Sequence, residues 1–101
     1  MSIIQLDGTL RAPVDRWLSR NVQARLDRGE RRIIVDLSQL TAIDAAGIGE
    51  LVRALNVAAA AGGALRVVQP QARVRRLLQI AGLVGPDDAQ VRPFPGGDEA
   101  R

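Results

Sequence analysis

The sequence predicts an α/β fold: a small mixed β-sheet with helices packed mainly on one face. Three observations carry that expectation. Short runs rich in Ile, Val and Leu alternate along the chain with stretches whose apolar residues recur at helical spacing. Glycines at 29, 62, 63 and 82 follow the helical stretches, where a helix commonly ends on a residue that tolerates the left-handed conformation. The chain of 101 residues is 47% hydrophobic, enough for one domain with its own core.

Taken in order, Ile3, Ile4 and Leu6 predict a strand that stops at an Asp7-Gly8 turn. Pro13 suits the first turn of a helix, where its missing N–H costs nothing. Val14, Trp17, Leu18, Val22 and Leu26 then recur at helical spacing, with Trp17 read as a core residue and Gly29 as the stop. Ile33, Ile34 and Val35, followed by Asp36 and Leu37, predict a strand buried on both faces. Ser38 to Asp44 reads as a connection. Ile48, Leu51, Val52 and Leu55 predict a second amphipathic helix that runs through Ala58 to Ala61 and ends at Gly62-Gly63. Leu65, Val67 and Val68 give another strand. Pro70 opens a third helix, with Val74, Leu77, Leu78 and Ala81 on one face and Gly82 as its cap. Val91 to Phe94 is a candidate last strand. The whole reads as one domain over residues 1–95, with a disordered tail over 96–101.

Composition excludes several kinds of chemistry. The chain has no cysteine and no histidine, so thiolate zinc sites, cysteine nucleophiles and an imidazole base are all absent. All 14 basic residues are arginine, which removes Schiff-base lysines and any phosphate-loop lysine. The pI of about 11.2 accompanies a net charge of only +3. Almost nothing titrates between the carboxylates and arginine, so the pI reports a gap in the titration curve and not a strongly basic surface. Direct nucleic-acid binding is not expected on that charge. No apolar run approaches the roughly 20 residues of a membrane span, and the N-terminus lacks a signal-peptide pattern. A cytoplasmic protein without membrane insertion, cofactor or metal is expected.

The informative stretch is Ile43 to Leu51, IDAAGIGEL. Asp44 is placed to cap the helix that follows, its carboxylate accepting from free N–H groups at the positive end of the helix dipole. Gly47 and Gly49 invite a phosphate-cradle reading, but the dinucleotide pattern needs glycine at Val52, and a Walker loop needs a lysine. Close helix packing is the plainer account of the two glycines. A carboxylate pair such as Asp36 and Asp44 could in principle do acid–base work, but no nucleophile–base pair, metal cluster or phosphate loop accompanies it, so no catalytic residue is expected. Arg73, Arg75 and Arg76 read first as a solvated face and second as a patch for an acidic partner. Ser38 and Thr41 read as turn-capping hydroxyls, or as alternative phosphorylation sites.

DLSQLTAIDAAGIGELVRAL, Asp36 to Leu55, resembles the signature of the STAS domain, the fold of bacterial anti-sigma factor antagonists. Leu6 to Leu10 (LDGTL), the Gly-Gly before the third strand, and Arg75 to Leu83 (RRLLQIAGL) fall in the matching order. The resemblance implies a first strand that is short or missing here and the absence of a long last helix. It also implies a transcription-regulating, protein-binding role in signal transduction. In phosphorylatable relatives a Ser or Thr precedes the motif glycine, and a partner that is both kinase-like ATPase and anti-sigma factor modifies it. The matching residue is Ala46, preceded by Ala45, and neither carries phosphate. The expected partner surface is Asp44, Ala45, Ala46, Gly47 and Gly49 with Glu50 and Arg53 on the exposed face of the helix, while Ile48 reads as core. The alternative implied by the resemblance is a STAS subunit of a membrane transport ATPase of the lipid-transport type, or of a stress-signalling assembly.

Overall fold

The computed structural model describes residues 1–83. The candidate strand at Val91 to Phe94 and the 96–101 tail lie outside the described residues. The elements are β1 (Ser2–Leu10), α1 (Trp17–Asp27), β2 (Arg32–Ile43), α2 (Ala45–Ala60), β3 (Ala64–Val68) and α3 (Ala72–Ile80). The strands lie in chain order, β1-β2-β3, and both pairings are parallel. Right-handed crossovers between strands taken in spatial order place successive helices on the same side of the sheet. The burial pattern agrees: Ile4 and Leu6, Ile33, Val35 and Leu37, and Leu65 and Val67 are buried, while their alternate neighbours are not. These residues join Leu18, Val22 and Leu26 of α1, Leu51, Ala54, Leu55 and Ala58 of α2, and Val74 and Leu78 of α3 in one aliphatic core.

The expected strand buried on both faces is therefore buried on one, because no described element covers the other side. Two further expectations are corrected. The Asp7-Gly8 turn is instead a distortion within β1, which runs on to Leu10 with register shifts between Gln5 and Asp7 and between Gly8 and Thr9. Gly8 takes a φ of +72°, a backbone angle that a side chain would strain. Its partner also continues. Ser38 to Ile43, expected as a connection, is the upper half of β2 and pairs with Asp7–Leu10 alone. Leu37, Leu40 and Ile43 all point to the core at a spacing of three, since the extra residues shift the alternation.

All three helices end the same way. In α1, Gly29 N–H donates to the Leu26 carbonyl and Glu30 N–H to that of Arg25. Gly62 and Gly63 do the same to Ala59 and Ala58, and Gly82 and Leu83 to Gln79 and Leu78. These are paired Schellman bonds, each with glycine at positive φ in the left-handed position. In the last, buried Leu83 and Leu78 belong to the same core. The helix starts are less regular. Pro13 lies in the loop before α1, which begins four residues later at Trp17. Trp17 is 48% exposed, not a core residue. The buried line is Leu18, Val22 and Leu26, and Trp17 stands about 100° around the helix from it.

Candidate functional site

Chain geometry brings the IDAAGIGEL stretch to the end of the sheet where β1 and β2 extend beyond β3. Asp44 follows the last residue of β2 in an extended conformation, and α2 begins at Ala45. One oxygen of its carboxylate accepts the Gly47 N–H at 2.9 Å, closing the first turn. The other accepts the Ala12 N–H at 3.0 Å, from the loop between β1 and α1. Its own N–H donates to the Leu10 carbonyl at 3.3 Å. Asp44 is thus both the cap of α2 and the tie that holds the neighbouring loop. The Ala12, Gly47 and Ala46 N–H groups hold its carboxyl below the ordinary carboxylate value, in that order of weight, with a further contribution from the Arg11 charge; partial desolvation acts the other way.

Gly47 is buried for a steric reason. A β-carbon on it would stand 2.0 Å from the Leu10 carbonyl oxygen and 2.7 Å from Cγ1 of Ile43. The helix therefore reaches the backbone of β1 only because this residue has no side chain. Gly49 differs: it is exposed, and a β-carbon there meets nothing within 4 Å. Close packing accounts for the first glycine and not for the second.

The expected surface divides accordingly. Ala45, Ala46, Gly49 and Arg53 are exposed, Asp44 and Ile48 are half-buried, and Gly47 is enclosed. Glu50 is a correction, because it is 3% exposed and not on the open face of α2. Its carboxylate accepts the Ser19 N–H of α1 at 2.8 Å and the Arg53 Nε–H at 3.3 Å. The Asp15 carboxylate ahead of α1 accepts the Trp17 N–H at 3.0 Å, and Glu50 brings a second carboxylate from α2 to the positive end of the same helix. Sequence reasoning missed this role, since it places Glu50 with Arg53 on the exposed face of the helix as a partner contact. Val14 and Arg16 from the α1 side face Ala46, Gly49, Glu50 and Arg53 across a shallow open groove. A second groove continues along α2 past Val52, Asn56, Val57 and Ala60.

The remaining candidates are placed apart from this turn. Asp36 and Asp44 are eight residues apart on an extended strand, roughly 26 Å, so they form no acid–base pair. The Asp36 Oδ1 accepts the Ser38 N–H at 2.8 Å, a local tie of the kind the sequence suggested, but within β2. The Thr41 hydroxyl donates to the Gly8 carbonyl at the distorted part of β1. Arg73 and Arg76 are exposed on α3, and Arg75 is half-buried. Among the described residues no group of three or more acidic side chains is placed to hold a metal ion, and no helix is long and apolar enough to cross a membrane.

The turn thus combines a carboxylate tied on two sides with a glycine packed against the Leu10 carbonyl of β1. A family model described as the Mlab STAS domain matches residues 1–91. The chain belongs to the STAS-domain family. Among solved structures, this STAS domain is similar to the anti-sigma factor antagonist SpoIIAA in its unphosphorylated form. The TM-score is 0.61 at 20% identity, over 78% of this chain and 74% of that chain. At that identity the likeness concerns the fold. No curated protein matches the STAS domain described here significantly.

Proposed function

We propose that this STAS domain is a protein-binding regulatory module of the anti-sigma antagonist kind, without enzymatic activity. It docks a kinase-type anti-sigma factor through the first turn of α2. Ala45, Ala46, Gly49 and Arg53 form the contact, and Asp44, Gly47 and Glu50 hold the contact in place from behind. The observation that supports this reading most is the division of labour at the turn. Both polar side chains of the motif, Asp44 and Glu50, are engaged in holding the fold, while the outward surface is small and neutral at Ala45 and Ala46. Such a surface suits packing against a partner and offers no group for catalysis.

On this reading Ala46 keeps the turn permanently in the uncharged state. A phosphoserine in its place would add about −1.5 to −2 charges. The helix dipole would tolerate that charge, so its effect would fall on the partner. The missing hydroxyl also favours a second reading, in which the same surface binds a transport ATPase subunit and no kinase is involved.

The test is affinity capture from the source lysate with identification of the bound proteins, repeated with Ala46→Glu. Capture of a kinase-like anti-sigma factor by the wild type, weakened about tenfold or more by Ala46→Glu, is the expected result. Capture of a transport ATPase instead selects the second reading. Undiminished binding by a folded Ala46→Glu variant removes the α2 turn from the interface.

A further inference from the structure

The face of the sheet opposite the helices is uncovered among the described residues. Parallel sheets almost always have both faces covered, and no described element covers this one. Ile3 on it is 60% exposed and Ile34 is half-buried beside it, with Val68 on the edge strand also half-buried. The pairing register sets Ile3, Ile34 and Arg66 in one row across the three strands. Arg32 and Ala64 form the row below, and Gln5, Asp36 and Val68 the row above. A shallow concavity lined by Met1, Arg32, Ile34, Ala64 and Arg66 opens on this side.

We propose that this face is a self-association surface and that its occupant is a second copy of this chain. The argument is charge complementarity along the central strand. The outward residues of β2 read Arg32, Ile34, Asp36: a cation, an apolar residue and an anion at alternate positions. A twofold axis across the strands at Ile34 reverses that order in the second copy. It lays isoleucine on isoleucine and sets each Arg32 opposite an Asp36. Stacked sheets lie about 10 Å apart, a gap that an arginine and an aspartate together can bridge. The arrangement is isologous, the commonest way for a chain to pair with itself. Like charges meet only in the same row at Arg66, on the edge strand.

The face is three strands wide, with strands about 4.8 Å apart, so it falls well short of the roughly 800 Å² per partner of a stable interface. The dimer is therefore weak and forms with rising concentration. The contact leaves the first turn of α2 free, because that turn stands on the helix side of the sheet. The inference is independent of the function proposed above.

Sedimentation velocity on the full chain, from low micromolar to millimolar concentration, tests it. The weight-average mass is expected to rise from 10.8 kDa toward twice that value. Arg32→Asp and Asp36→Arg are each expected to weaken association by about tenfold or more, and the double exchange to restore it. Circular dichroism establishes that each variant is folded. Ile3→Glu, at an exposed position where folding is insensitive to the change, is expected to abolish the dimer. A chain that stays monomeric at millimolar concentration overturns the proposal. So does association that persists in folded Ile3→Glu, or that the double exchange fails to restore.

Discussion

Asp44 does at residue scale what the whole motif depends on, since a single carboxylate joins the start of α2 to the loop before α1. Because these N–H groups and the Arg11 charge hold its folded-state pKa below 3.8, the unfolded chain binds the proton more readily. Stability from this site is therefore fully present above the unfolded value of 3.8 and is lost as pH falls through the lower folded-state value. Asparagine is also a good cap, so Asp44→Asn keeps an acceptor while removing the titration. The wild type is expected to have the higher urea midpoint at about pH 6, and the gap is expected to close as the pH falls below 3.8 and through the lower folded-state value. A gap that stays constant across that range would mean that the carboxylate is not coupled to folding.

At the scale of elements, the decisive contact is α2 against β1, and the two motif glycines separate its causes. Gly47→Ala forces a β-carbon into the Leu10 carbonyl and is expected to cost about 1–3 kcal/mol, because backbone cannot move aside cheaply. Gly49→Ala adds a methyl to open space in a helix and is expected to stabilise by roughly 0.5–1 kcal/mol. Denaturant midpoints of the two variants check both signs, and a stabilised Gly47→Ala would contradict the close approach. Elements whose signals are local were legible in the sequence: the apolar faces of α2 and α3, the glycine stops and the Asp44 cap. What escaped depends on neighbours distant in sequence. The Leu37, Leu40 and Ile43 spacing looks like a connection until the distorted β1 beside it explains the shifted alternation. Trp17 looked apolar and therefore internal, but only the direction of the helix decides which side meets the sheet. The burial of Glu50 follows from a helix N-terminus 31 residues away in sequence, which no pattern around Glu50 could reveal.

For the whole molecule, the sheet has two regions of different support. From Arg32 to Asp36, β2 is paired on both sides, with Ile33 and Val35 buried beneath. From Gln39 to Ile43 it is paired with β1 alone, and both register shifts fall in the neighbouring segment of β1. The candidate site is mounted on this less supported end, through the Asp44 N–H to Leu10 and the packing of Gly47 on the same carbonyl. Opening free energies follow such differences in pairing and burial. Native-state hydrogen exchange is therefore expected to show the slowest amides in the Ile33–Leu37 stretch of β2. Amides of Gln39 to Ile43 and of the first turn of α2 are expected to open together at a lower free energy. That coupling follows from their shared attachment to Leu10, so Gly47→Ala is expected to speed exchange in both segments while leaving the doubly paired stretch slowest. Uniform protection along β2 would show instead that the site rests on the global fold, with no softer end for a partner to adjust.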